Sequence, residues 1–207
     1  MLGAFFKKLF GMGAKDFKPE LLIFGLGNPG VKYSGTRHNI GFDVIDGLCE
    51  LSGSVPGPKE YFCEAECRAA VCGAGGKPVL LVKPLTYMNL SGESAAALVR
   101  RYQLTAAECL VIVDDFNIPL GKIRFRKDGT SGGHNGLKSV SAAIGCDYPR
   151  LRVGIGPLPA GVSVTSFVLG HFDGQEREES AEAVKTAVAA VEFMINSGID
   201  AAMNKYN

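Results

Sequence analysis

Residues Leu21–Phe42 read LLIFGLGNPGVKYSGTRHNIGF, and the order of events in this stretch decides the fold class. Four apolar residues, Leu21 to Phe24, make a short strand that runs straight into a glycine-rich turn, Gly25-Leu26-Gly27-Asn28-Pro29-Gly30. Such a turn lets the backbone approach a ligand closely, and Asn28 places an amide donor and acceptor on it. Eight residues further on stands His38, between Arg37 and Asn39. Imidazole titrates nearest neutrality of all side chains, so His38 is the first candidate for proton transfer. The turn also satisfies G-x-G-x-x-G after a strand, the pattern of a dinucleotide-binding fold. That fold needs a helix to begin inside the glycine motif. Val31 to Thr36 has no apolar spacing of three and four and contains Gly35; helical spacing starts only with Ile40, Phe42, Val44, Ile45 and Leu48. The dinucleotide reading is set aside, and a helix is expected from about Ile40 to Leu51.

Outward from this stretch the chain alternates strands with helices. Ser52 to Pro58 is a loop by composition, and Tyr61 to Cys72 alternates polar and apolar residues as a half-exposed strand does. Pro78 to Val82 reads as a buried strand that ends in Lys83-Pro84-Leu85-Thr86-Tyr87-Met88-Asn89-Leu90-Ser91-Gly92, with Ser91 able to cap a helix over Glu93 to Tyr102. Cys109 to Val113 is a strand that delivers Asp114 and Asp115 at its carboxyl end, where ligand sites gather in open α/β sheets. Ile118 to Gly121 turns the chain into a basic strand, Lys122 to Arg126. The glycine-rich run Gly129 to Gly136 carries His134 and Asn135, followed by a helix over Leu137 to Ile144, a strand over Leu151 to Ile155 and an apolar helical face between Glu179 and Ile195. The alternation predicts one α/β domain, residues 19–207, with a twisted mixed central sheet flanked by helices. Met1 to Lys18, amphipathic through Phe5, Phe6, Leu9 and Phe10, reads as an N-terminal extension and lacks the long apolar core of a secretory signal.

With 207 residues and a net charge of +1 the chain is no polycation, so any nucleic acid must be met by a local patch. Such a patch is visible: seven basic residues against two acids between Gly121 and Arg152, reversed to seven acids against three bases between His171 and Asn207. None of the six cysteines forms C-x-x-C, which reads as reduced, mostly buried thiols, and the three histidines lack the paired spacings of a zinc site. No run approaches the length of a membrane span.

Asn28 with His38, Asn89, Asp114 with Asp115, and His134 with Asn135 lie on separate turns beside strand or helix ends. Carboxamides there suit a neutral polar substrate such as a peptide, and a carboxylate at Asp114 can hold the second nitrogen of a histidine. Read singly, each asparagine is a turn residue and His134 is structural. No G-x-S-x-G elbow is present, so the nucleophile of a hydrolase built on His38 is water.

Taken together, GLGNPG with Tyr33 and Thr36-Arg37-His38-Asn39, then KPLTYMNLSG at Lys83 to Gly92, Asp114-Asp115 with Pro119 and Gly121, GGHNGL at Gly132 to Leu137 and LRVGIG at Leu151 to Gly156 resemble the bacterial-type peptidyl-tRNA hydrolase family. The resemblance runs from about Leu21 over nearly the whole chain. It implies hydrolysis of the ester between a peptide and the 3′-terminal adenosine of tRNA by a cytoplasmic monomer, with no metal, cofactor, membrane span or obligatory protein partner. It also implies roles: His38 as general base, Asp114 orienting it, and Asn28 telling peptidyl from aminoacyl substrates. Asn89 and Asn135 would bind the peptide or 3′ end, Tyr33 and Tyr87 contact tRNA, and Met88 line the cleft. Phosphate binding falls on Arg124, Arg126, Lys138 and Arg152. The segment after Gly156, PLPAGVSVTS, has no Lys or Arg where family members often carry one. A non-enzymatic RNA-binding module of the splicing-facilitator branch is the alternative, and a nucleotide-binding oxidoreductase a third reading.

Overall fold

The computed structural model describes residues 17–57 and 64–207. Seven strands form one sheet: β1 Leu21–Gly25, β2 Val55–Pro56, β3 Ala65–Cys72, β4 Lys77–Pro84, β5 Cys109–Pro119, β6 Ile123–Arg126 and β7 Arg150–Gly156. Their order is β2-β3-β4-β1-β5-β7-β6. The four central strands are parallel, while β2, β3 and β6 pair antiparallel at the two edges, so the sheet is mixed, as expected.

Helices cover both faces, and the apolar runs of the central strands are the consequence: with both sides buried, every residue must be apolar. Leu21, Ile23, Val79, Leu81, Leu110 and Ile112 point toward α1 (Ile40–Ser52) and α5 (Gly174–Tyr206). Leu22, Phe24, Leu80, Val82, Val111 and Val113 point toward α2 (Ser91–Tyr102) and α3 (Asn135–Ile144). Each fully buried Leu, Ile or Phe contributes about 1.5–3 kcal/mol, so these two layers carry the stability. A short helix, α4 (Val164–Val168), follows β7. Among the described residues no helix is long and apolar enough to cross a membrane.

The glycine motif serves packing. A Cβ on Gly25 would stand 2.1 Å from the Gly41 carbonyl oxygen, and one on Gly41 would stand 2.5 Å from that of Leu26. The exit of β1 and the start of α1 therefore touch backbone to backbone, and only glycine fits. Two single 3₁₀ turns, Val31–Tyr33 and Arg37–Asn39, fill the gap between the motif and α1, which is why no helix opens inside it.

Several expectations are corrected. Ser91 is the first residue of α2 rather than its cap: the turn Met88–Leu90 leads directly into the helix, Leu90 occupies the cap position, and the Ser91 hydroxyl donates back to the Met88 carbonyl at 3.0 Å. β5 does not stop at Val113 but continues through Asp114 and Asp115 to Pro119, with a register shift against β7 between Asp115 and Pro119. Gly156 permits this, since a Cβ there would lie 1.9 Å from the Phe116 carbonyl oxygen. α5 begins five residues before the expected Glu179, because Asp173 and Glu176 cap it reciprocally where no apolar period exists; it bends at Gly198, φ 83°. Of the strand expected over Tyr61–Cys72, Ala65–Cys72 is observed and residues 58–63 lie outside the described ones, as do Met1 to Asp16. Phe17 is buried against the α2 side of the sheet. Cys72 and Cys109 are buried free thiols, and burial pushes Cys72 up to about 11 and Cys109 to about 12; Cys67 is buried too, Cys49 is half-buried and Cys146 is exposed.

Candidate active site

The carboxyl ends of β1, β4 and β5 open into one cleft of about 770 Å³. Asn28, His38, Met88, Asn89, Asp114, Asn135, Arg126 and Arg152 all line it, so residues drawn from turns far apart in sequence converge there.

Asn28 is held from two sides. Its backbone N–H donates to Asn39 Oδ1 at 2.9 Å, and Asn39 Nδ2 donates to its carbonyl at 2.9 Å. Its side-chain Oδ1 accepts the Met88 backbone N–H at 2.9 Å. That contact fixes which way the amide points, and Nδ2 is the group left to donate into the cleft. The same bond secures Tyr87, whose φ of 63° and ψ of 157° lie in a region most side chains avoid. Tyr87 is half exposed, and its ring meets that of Tyr33 edge-on at 6.2 Å.

His38 sits on the turn before α1, buried, and its Nδ1 stands 2.8 Å from Asp114 Oδ1. The same oxygen lies 3.0 Å from His134 Nε2. Burial pushes the Asp114 carboxyl up, but the two imidazoles outweigh it and hold the group well below the ordinary carboxylate range. Asp114 is therefore ionised and can only accept, so both histidines donate to it. For His38 this leaves Nε2 as an unprotonated acceptor available to the cleft. The ring nitrogens and the carboxylate oxygen of the three residues lie within 4.8 Å of one another.

Asp115, next along β5, is paired with Arg152, whose Nε stands 2.5 Å from its Oδ2. In the β6–β7 register Arg124 faces Arg152 and Arg126 faces Arg150, which sets four arginines on one face of the sheet edge. Arg124 is exposed outside the cleft, as is Lys138 on α3. Tyr33, Tyr87, Arg124 and Lys138 are thus not brought into the cleft itself.

Four residues with clear roles here were not singled out as site residues. Asn39 clamps the Asn28 backbone. Arg150, buried, donates to the carbonyls of Thr130 and Cys146 at 2.9 and 3.2 Å and so holds the glycine-rich loop before His134. Arg37 lies between the Phe167 and Phe172 rings, 4.5 and 5.2 Å from their centroids, and pairs with Glu176 at 2.6 Å. It thereby fastens the turn bearing His38 to the α4 segment. His134, read as structural, both caps α3 and bonds Asp114; only its neighbours in space give it the second role.

A family model described as peptidyl-tRNA hydrolase matches residues 22–207. The chain belongs to the peptidyl-tRNA hydrolase family. It is 44% identical to the peptidyl-tRNA hydrolase of Fervidobacterium nodosum over 90% of its own length and 96% of that protein's. To that of Agathobacter rectalis it is 45% identical over 90% and 99%. The crystal structure of peptidyl-tRNA hydrolase from Acinetobacter baumannii superposes with a TM-score of 0.83 at 33% identity, covering 90% of this chain and 94% of that one. The family resemblance read from the motifs is borne out, and the dinucleotide-binding reading is not.

Proposed function

We propose that this cleft hydrolyses the ester joining a peptide to the 3′-terminal adenosine of tRNA, with His38 Nε2 as the general base. Hydrolysis of peptidyl-tRNA is the activity of the family to which the chain belongs. The observation that carries the mechanism is the buried 2.8 Å contact between His38 Nδ1 and ionised Asp114, in a cleft that Asn28, Asn89 and Asn135 also line.

Nε2 takes a proton from water as its oxygen attacks the ester carbonyl carbon. The Asp114 carboxylate stabilises the imidazolium so formed. Collapse of the tetrahedral intermediate breaks the bond to the ribose 3′ oxygen, which takes the proton back from Nε2; the products are a peptide acid and free tRNA. Asn28 Nδ2 donates to a peptide carbonyl, which an aminoacyl substrate with a free ammonium group lacks. Asn89 and Asn135 hold the rest of the peptide or the 3′ end, and Met88 provides an apolar wall. Tyr33 and Tyr87 offer π-faces for an unpaired base, a contact worth about 1–3 kcal/mol. Arg124, Arg126 and Lys138 meet phosphates, with Arg152 shared between that task and Asp115. In this reading residues 19–207 act as a monomer in the cytoplasm, without a cofactor or an obligatory protein partner.

Release of peptide from purified N-acylaminoacyl-tRNA tests the activity. His38→Ala is expected to lower kcat by roughly 10²–10⁴-fold while tRNA still binds. Turnover at the rate of the parent protein would remove His38 from the mechanism.

A further inference from the structure

The two ring nitrogens of His134 have different partners. Nδ1 accepts the Leu137 backbone N–H at 3.2 Å and so caps α3, while Nε2 stands 3.0 Å from Asp114 Oδ1. A ring nitrogen that accepts a backbone N–H carries no proton, so neutral His134 is held in the tautomer that donates from Nε2. Protonation of Nδ1 would cost the cap. The two rings lie 5.0 Å apart, and one carboxylate oxygen serves both.

We propose that His134 is a positioning residue that lowers the basicity of His38 by drawing on the Asp114 oxygen the two share. The proposal rests on the reading of His38 as the base. An N–H donated to a carboxylate disperses its charge, and less of that charge then stabilises the His38 imidazolium. The base accordingly stays unprotonated to lower pH than a histidine–carboxylate pair alone would allow. It matters in a cleft where only the deprotonated ring can activate water.

The other charged groups around His38 are engaged elsewhere. Asp115 is paired with Arg152, Arg126 and Arg150 donate to the carbonyls of Phe125 and Thr130, and Arg37 is paired with Glu176. Asp128, also on the cleft wall, is exposed to solvent. Among the described residues, Asp114 is the hydrogen-bonding partner found for His38, and Asp114 is bonded by His134 in addition.

His134→Asn separates the two jobs, because an asparagine side chain caps a helix well but ends short of the place Nε2 occupies. His134→Ser is a second variant that retains a cap, used if the first does not fold. Two measurements are made on each full-length protein: the NMR titration of the His38 ring, and kcat/KM against pH for N-acylaminoacyl-tRNA. The His38 titration and the acid limb of the rate are expected to rise together by about half a unit, so the ratio of rates at pH 8 and pH 5 grows about threefold. An unmoved or lowered His38 titration, with the rate reduced equally at every pH, would overturn the proposal and leave His134 a cap alone. A raised NMR titration with no matching limb in the rate supports the coupling of the rings but removes His38 as the base, so the two failures are told apart.

Discussion

Replacing Asp114 with asparagine keeps the shape of the site and removes its charge. In the parent protein the imidazolium formed on His38 faces a carboxylate across a 2.8 Å contact inside a buried pocket. With the charge centres about 4 Å apart and an effective dielectric near 20, the attraction is about 4 kcal/mol, or about three decades in rate. The new amide brings a second fault. Its NH₂ group can donate to His38 Nδ1, which would move the ring proton to Nε2 and disable the base. Single-turnover release of peptide from N-acylaminoacyl-tRNA is expected to slow about 10³-fold, with Kd for tRNA little changed. Stability responds in the opposite sense to acid. The Asp114 carboxyl sits below its unfolded value, so its contribution is present above about pH 4 and lost as pH falls further. The variant should therefore show a flatter decline of Tm below pH 4 than the parent. A variant within threefold of the parent rate would refute the orienting role of Asp114 and with it the proton path.

Two further outcomes test other parts of the molecule. Asp43, half-buried in the first turn of α1, is raised to about 6 by burial and by Asp46, with Lys83 opposing. Its folded value exceeds its unfolded one, so ionising it costs stability as pH rises from about 4 to 6. Asp43→Asn should therefore gain about 1–2 kcal/mol in urea unfolding at pH 7.5 and nothing at pH 4; an equal effect at both would sink the argument. If the β6–β7 arginines meet phosphates, Arg126→Ala should reduce the slope of log K for tRNA against log salt by about 1, and an unchanged slope would move the tRNA to another face.

What was legible in the sequence was whatever depends on local periodicity or on a motif. The unbroken apolar runs at Leu22, Leu80 and Val111 announced strands buried on both sides, and the absent helical spacing after Gly30 excluded the dinucleotide fold. That a carboxylate at Asp114 can hold a histidine nitrogen was readable from the residue types, while its pairing with His38 in particular was implied by the family resemblance. The second role of His134 was hidden because it depends on a loop, pinned by Arg150, that brings the ring over Asp114. The start of α5 was hidden because Asp173 and Glu176 set it through hydrogen bonds rather than apolar spacing. The length of β5 was hidden because Pro119 looks like a turn until β7 is seen to pair with it.

Arg37 has a mechanical consequence. It directly precedes His38 in the chain, yet its guanidinium packs against Phe167 on α4 and Phe172 just beyond it, and pairs with Glu176 at the start of α5. A shift of α4 against the sheet would therefore be felt one residue away from the imidazole.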